Sequence, residues 1–135
     1  MEIHHIGFLV KDLKKSEKQF MDLGYKIEVG GGKAFDHIRN VNIEFLINGT
    51  YRVELIEPVD TTSELYSLIK KYKNQPYHVC YLTDDMEKTI AELLEKHFIV
   101  INPPQAAPCI GTGKQKVTFL SGRGIEMIEL LEKTV

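Results

Sequence analysis

The chain of 135 residues has no apolar run of bilayer length, no large excess of charge of either sign and only two cysteines. Its longest apolar stretches are of strand length, far below the roughly 20 residues of a spanning helix, so a membrane is not an expected partner. The N-terminus passes directly into a strand pattern without the charged segment and apolar core of an export signal, and the expected location is cytoplasmic. Seventeen basic and nineteen acidic residues are interspersed to a net charge of −2. No basic stripe follows a phosphate backbone, which removes the usual basis for binding nucleic acid. Cys80 and Cys109 form neither a C-x-x-C pair nor a zinc-ribbon spacing and read as reduced thiols. The runs Gly30-Gly31-Gly32-Lys33 and Gly111-Thr112-Gly113-Lys114 lack the spacing of a phosphate-binding loop and read as turns. What remains is one domain, residues 1–135, whose 43% hydrophobic content can fill a single core.

The most informative feature present is a duplication. HHIGFLVKDLKKSEKQF (4–20) aligns with YHVCYLTDDMEKTIAEL (77–93), which superposes His5 on His78, Asp12 on Asp85 and Lys15 on Lys88. IEFLINGTYRVELIE (43–57) aligns with VTFLSGRGIEMIELLE (117–132) and superposes Glu54 on Glu129. The repeat spans 3–58 and 76–133, joined by a short linker helix over 61–73 that Thr61 and Glu64 open with capping-box spacing. The hydrophobic period switches from two to about 3.6 and back in each half, which predicts βαβββ twice and an α+β fold. Asp12 opens the first helix, with Leu13, Phe20 and Leu23 on its stripe and Gly24 as a left-handed cap. Asp84 with Glu87 opens the second, with Met86, Ile90, Leu93, Leu94 and His97 on its face.

Strand parity decides which side chains can meet. Ile6, Phe8 and Val10 in one half, and Tyr77, Val79 and Tyr81 in the other, are expected to pack on the helices, which turns His5 and His78 the other way. Glu54 shares a strand face with Arg52 and Ile56, and Glu129 with Met127 and Leu131. Curved sheets would then enclose a cavity holding His5, Glu54, His78 and Glu129. Singly, each residue reads as a hydrogen-bonded core histidine or a solvent-facing glutamate. Packing gives no reason for the same polar residue at the same place in both halves, whereas one shared divalent cation does, and it also offsets the cost of burying two carboxylates. Two imidazoles and two carboxylates suit Zn, Ni, Co, Mn or Fe(II) and leave positions for substrate in a six-coordinate site.

HHIGFLVKDL, YRVELIEP, YHVCYLTDD and GIEMIELLE together resemble the motifs of the vicinal oxygen chelate superfamily of paired βαβββ modules, which includes glyoxalase I, methylmalonyl-CoA epimerase, extradiol dioxygenases and drug-binding resistance proteins. The resemblance spans nearly the whole chain. It implies a glyoxalase-like fold, metal ligands at His5, Glu54, His78 and Glu129, one divalent ion with Ni or Co ahead of Zn, Mn or Fe, and a small-molecule thiol adduct or acyl thioester as substrate. A homodimer is the expected assembly; paired modules can pack within one chain or exchange across two, and the sequence pattern is the same for both.

Two members fit best. Glyoxalase I isomerises the hemithioacetal of methylglyoxal and glutathione, and methylmalonyl-CoA epimerase inverts a carbon acid beside a thioester. The epimerase pattern has a glutamate ahead of the strand written NVNIEFL, where this chain has Ile38 between His37 and Arg39, and Ser121-Gly122 replace its usual His-Pro. The expectation is therefore a glyoxalase I-like lyase, with methylmalonyl-CoA epimerase and a non-catalytic ligand-binding protein of the same fold as alternatives. By resemblance Glu129 is the base, with Glu54 on the opposite face. Arg52, on the face of Glu54, is a candidate for gripping a substrate carboxylate, with an ion pair to a neighbouring acid, such as Glu44, as the alternative. Lys114, in the Pro- and Gly-rich segment 102–116, is a candidate for reaching an anionic tail from a lid.

Overall fold

A computed structural model describes residues 1–30, 32–107 and 115–133. It is mixed α+β, with nine strands and three helices among the described residues. The chain divides into two compact units, one of Ile6–Tyr77 and one of Met1–His5 with His78–Val135.

In the Ile6–Tyr77 unit, β1 (Ile3–Leu9) runs parallel to β5 (Tyr51–Pro58), with Gly7 opposite Glu54. Strand β5 pairs antiparallel with β4 (Val41–Asn48). The single strand expected between helix and hairpin is broken into β2 (Lys26–Ile27) and β3 (Ala34–Asp36), both paired with β4. Gly30, at a φ of 80°, lies between them, in a stretch where extended pairing cannot continue. Helix α1 (Leu13–Asp22) begins at Asp12, whose carboxylate accepts the Lys15 N–H at 3.1 Å. It covers a cluster of Val10, Leu13, Leu46, Val53 and Leu55, with Phe8, Phe20 and Tyr25 packed alongside. Burying a leucine as fully as Leu55 is worth about 2 kcal/mol. Leu23, expected on the buried stripe, is instead the exposed C-cap, because the helix ends one residue earlier. The linker helix α2 covers Tyr66–Tyr72, and Thr61 to Ser63 form a turn ahead of it rather than its first turn.

In the other unit, the strand order is β6 (Gln75–Thr83), β9 (Glu126–Glu132), β8 (Lys116–Gly122), β7 (Ile99–Ala106). Strands β6 and β9 are parallel, with Cys80 opposite Glu129. That register repeats the pairing of Gly7 with Glu54. Helix α3 (Met86–Glu95) packs on Leu120, Ile128 and Leu130 through Met86, Ile90 and Leu93. Its N-cap is Asp85, which accepts the Lys88 N–H at 3.0 Å, one residue later than the Asp84 expected from sequence. His97 lies beyond the helix at a φ of 70°, the repeat position of Gly24 at 102°. It is not part of the α3 face. Edge strand β7 takes up residues 102–106 of the expected lid, and its register with β8 shifts around Pro103 and Pro104, which have no N–H to donate. Residues 108–114 of that segment, including Cys109 and Lys114, lie outside the described residues.

Candidate metal centre

Alternation along β9 sets the chemistry. Ile128 and Leu130 point to α3, so Glu129 points to the opposite face, beside Cys80 and Phe119 in the register. His78 stands two residues before Cys80 and shares its face. The Ile3–His5 end of β1 belongs to the same unit, where the Leu82 N–H donates to the Glu2 carbonyl at 2.8 Å. His5, His78 and Glu129 are all buried.

Their donor atoms converge. Nε2 of His5 lies 3.2 Å from Nε2 of His78 and 3.2 Å from Oε1 of Glu129, and Nε2 of His78 lies 3.4 Å from the same oxygen. That oxygen is shut off from solvent without a well-directed hydrogen bond. Burial alone would raise the Glu129 carboxyl, but the charge of His78 and the contacts with His5 and His78 outweigh it and hold the group well below the ordinary carboxylate value. Three electron-pair donors meeting at one point call for a cation. Metal–ligand bonds of about 2.0–2.2 Å place the donors of a tetrahedral or octahedral set about 3.0–3.5 Å apart, which is the spacing these three atoms have. The residues fit a divalent ion of the first transition row.

The remaining candidates fall as follows. Glu54 is buried on β5 of the Ile6–Tyr77 unit, on the face away from α1, with Phe45 opposite it as Phe119 is opposite Glu129. Arg52, on the same strand face, is gripped by Glu28 through two hydrogen bonds of 2.9 Å. Arg52 thus forms an ion pair with an acid, and that acid is Glu28. Glu44 faces the helix side of β4 with Leu55 opposite, wholly buried. Ile38 is exposed in a turn that Asp36 closes by accepting the N–H groups of Ile38 and Arg39 at 2.9 and 3.2 Å. At Gly122, a Cβ would stand 2.8 Å from the Phe98 ring, so the position that breaks the expected His-Pro pattern has no room for a side chain.

Two neighbours of the centre were not legible from the pattern. The Phe119 ring packs edge-on against His78 with centroids 5.3 Å apart. Nδ1 of His4 lies 2.8 Å from Nδ1 of His5, although strict alternation sends adjacent strand residues to opposite faces. Cys80 also has its sulfur within 4.8 Å of ring nitrogens of His4 and His5.

Comparison with known proteins agrees with this architecture. Residues 4–119 match the family described as the Glyoxalase/Bleomycin resistance protein/Dioxygenase superfamily. The chain is 25% identical to the uncharacterized protein YqjC of Bacillus subtilis (strain 168), over 96% of this chain and 91% of that one. The crystal structure of hypothetical protein BH1468 from Bacillus halodurans C-125 is 27% identical, with a TM-score of 0.85 over 99% of this chain and 95% of that one. A variant of Streptomyces coelicolor methylmalonyl-CoA epimerase in complex with 2-nitronate-propionyl-CoA is 21% identical, with a TM-score of 0.82 over 100% of this chain and 99% of that one.

Proposed function

Because this chain belongs to the glyoxalase/bleomycin resistance protein/dioxygenase superfamily, we propose that it is a metal-dependent enzyme that transfers a proton at the carbon next to the carbonyl of an acyl-CoA thioester. The observation that carries this reading is the convergence of two imidazole nitrogens and one carboxylate oxygen in a buried centre. The substrate class follows the epimerase neighbour, whose bound ligand is a CoA thioester analogue by name. We assign Glu54 as the fourth donor, since its register beside β1 repeats that of Glu129 beside β6. A bound divalent ion, Ni or Co by resemblance, would supply Lewis-acid polarisation of the substrate carbonyl oxygen.

The chain's own groups do the rest. His5 and His78 present their Nε2 atoms and hold the centre. Glu129 is the base: its carboxylate stays ionised across the physiological range, and it gains basicity as substrate loosens its contacts with the two imidazoles. Phe119 walls one side of His78 and keeps water from the path of the proton. Arg52, held rigid by Glu28, is the cation nearest in sequence to Glu54, and Lys114 remains the second candidate for an anionic tail.

A second reading keeps one observation in its favour. Inversion at carbon is commonly served by two bases on opposite faces, whereas a hemithioacetal isomerisation takes and returns its proton through one. Ile38 supplies no second carboxylate, and this favours glyoxalase I-like chemistry. Metal-loaded protein offered methylmalonyl-CoA and, separately, the methylglyoxal–glutathione hemithioacetal in deuterated water decides between them by NMR. The expected result is deuterium at C2 of the acyl-CoA and none in the hemithioacetal. Turnover of the hemithioacetal alone would replace the first reading with the second.

A further inference from the structure

His5 uses both of its ring nitrogens. Nε2 faces His78 and Glu129, while Nδ1 lies 2.8 Å from Nδ1 of His4. The two rings meet edge-on, with centroids 5.1 Å apart at 79°. A neutral imidazole carries one proton. If Nε2 is to offer a lone pair to a cation, the proton must sit on Nδ1, and a proton there in a buried ring requires an acceptor. His4 Nδ1 is at hydrogen-bond distance, and the half-buried His4 ring can carry its own proton on Nε2. The opposite assignment, with His4 donating to His5 Nδ1, would place the His5 proton on Nε2 and aim it at the other two donors.

We propose that His4 is a positioning residue, which accepts the Nδ1 proton of His5 and thereby fixes the tautomer and ring angle that present Nε2 to the metal. The proposal rests on the metal centre described above. Groups that orient a ligand histidine are worth about 10- to 100-fold in metal affinity when removed. The backbone at His4 needs no histidine; the strand would form with any residue of similar size.

The test uses the full chain and cobalt(II). His4→Leu keeps volume but offers no acceptor, whereas His4→Asn places an amide oxygen close to where Nδ1 stands. Cobalt affinity, measured against a competing chelator, is expected to fall 10- to 100-fold in the Leu variant and to return to within about threefold of the parent in the Asn variant. The cobalt d–d spectrum should move in Leu and be restored in Asn, and metal-free melting temperatures should match. Nitrogen-15 imidazole NMR of the metal-free proteins should show His5 protonated on Nδ1 in the parent and as a tautomer mixture in His4→Leu. Equal affinity and an unchanged His5 tautomer in the Leu variant would overturn the proposal. So would an intense thiolate-to-cobalt band that Cys80→Ser abolishes, because His4 would then be a ligand together with Cys80. If the parent takes up no cobalt, the metal reading itself fails, and the tautomer measurement still decides whether His4 sets the His5 proton.

Discussion

The carboxylate of Glu57 accepts the backbone N–H of Leu13 at 2.7 Å and so ties the first turn of α1 to the end of β5. The other half repeats the tie: Glu132 accepts the N–H of Met86 at 3.0 Å. Each motif, VELIEP and IELLEK, thus carries two glutamates for opposite faces. The first of each pair, Glu54 or Glu129, faces away from the helix, and the second, three residues on, anchors the helix N-terminus. A carboxylate there satisfies an orphan N–H and meets the positive end of the helix dipole. Glu57→Ala and Glu132→Ala are each expected to lower unfolding stability by about 1–2 kcal/mol in urea titrations without changing metal content. Two silent substitutions would mean that the ties add nothing beyond solvation of the helix ends.

Glu129 separates metal binding from proton transfer. Glu129→Gln preserves shape and an oxygen donor but removes the basic carboxylate, so at saturating metal the protein should stay loaded while turnover drops by about 10²-fold or more. His5→Ala and His78→Ala should instead fail to hold the ion, and chelation, which lowers the parent's melting temperature, should leave theirs unmoved. Metal content by elemental analysis and rates at saturating metal check both arms. A Gln variant with nearly full activity would remove Glu129 from the base role.

The duplication made the two long strands, the helices and the register of Glu54 and Glu129 readable, because a repeat states each element twice and errors in one half show against the other. What it left unread was of two kinds. Glu57 and Glu132 were present in the aligned segments, but a period-2 reading gives a helix-facing glutamate no role until the helix N-terminus is placed over it. The His4–His5 contact depends on local departure from alternation, and the Arg52–Glu28 pair on the break between β2 and β3, neither of which has a periodic signal. His97 was readable and missed: the same offset that maps His5 onto His78 maps Gly24 onto His97.

That last pair gives a backbone test. Gly24 and His97 both follow a helix with positive φ, and in both places the next two N–H groups close the helix end, Gly24 and Tyr25 onto Met21 and Phe20, His97 and Phe98 onto Leu94 and Leu93. A side chain in this conformation costs on the order of 1 kcal/mol. Gly24→Ala should therefore lower stability by about 1 kcal/mol, while His97→Gly should raise it by a few tenths, since part of the gain is returned as chain entropy. Differential scanning calorimetry reads both signs. A loss of stability in His97→Gly would show that the His97 ring makes contacts worth more than the strain.

Glu44 gives the protein a pH dependence of unusual sign. Its carboxyl is wholly buried against α1, beside the Glu17 carboxyl, with Lys33 Nζ 3.9 Å from Glu44 and 3.4 Å from Glu17. Burial, and then the neighbouring Glu17, push Glu44 up to about 7; Lys33 offsets only part of this. Glu17, beside the Glu44 carboxyl and flanked by Lys33 and Lys14, is lowered in turn. Between the ordinary value of 4.5 and about 7 the folded chain holds a proton on Glu44 that the unfolded chain has released. Stability from this group is therefore full below that window and is lost as pH rises through 7, whereas the part from Glu17 is present above 4.5 and is lost as pH falls. Glu44→Gln puts an amide N–H donor in place of the carboxyl O–H and cannot ionise. Its melting temperature should match the parent near pH 5 and exceed it at pH 8 by on the order of 5 °C, equivalent to roughly 1–2 kcal/mol. Thermal unfolding of both proteins at pH 5, 6, 7 and 8 measures the divergence. Parallel curves would mean that Glu44 is ionised throughout and that Lys33, not a shared proton, neutralises the pair.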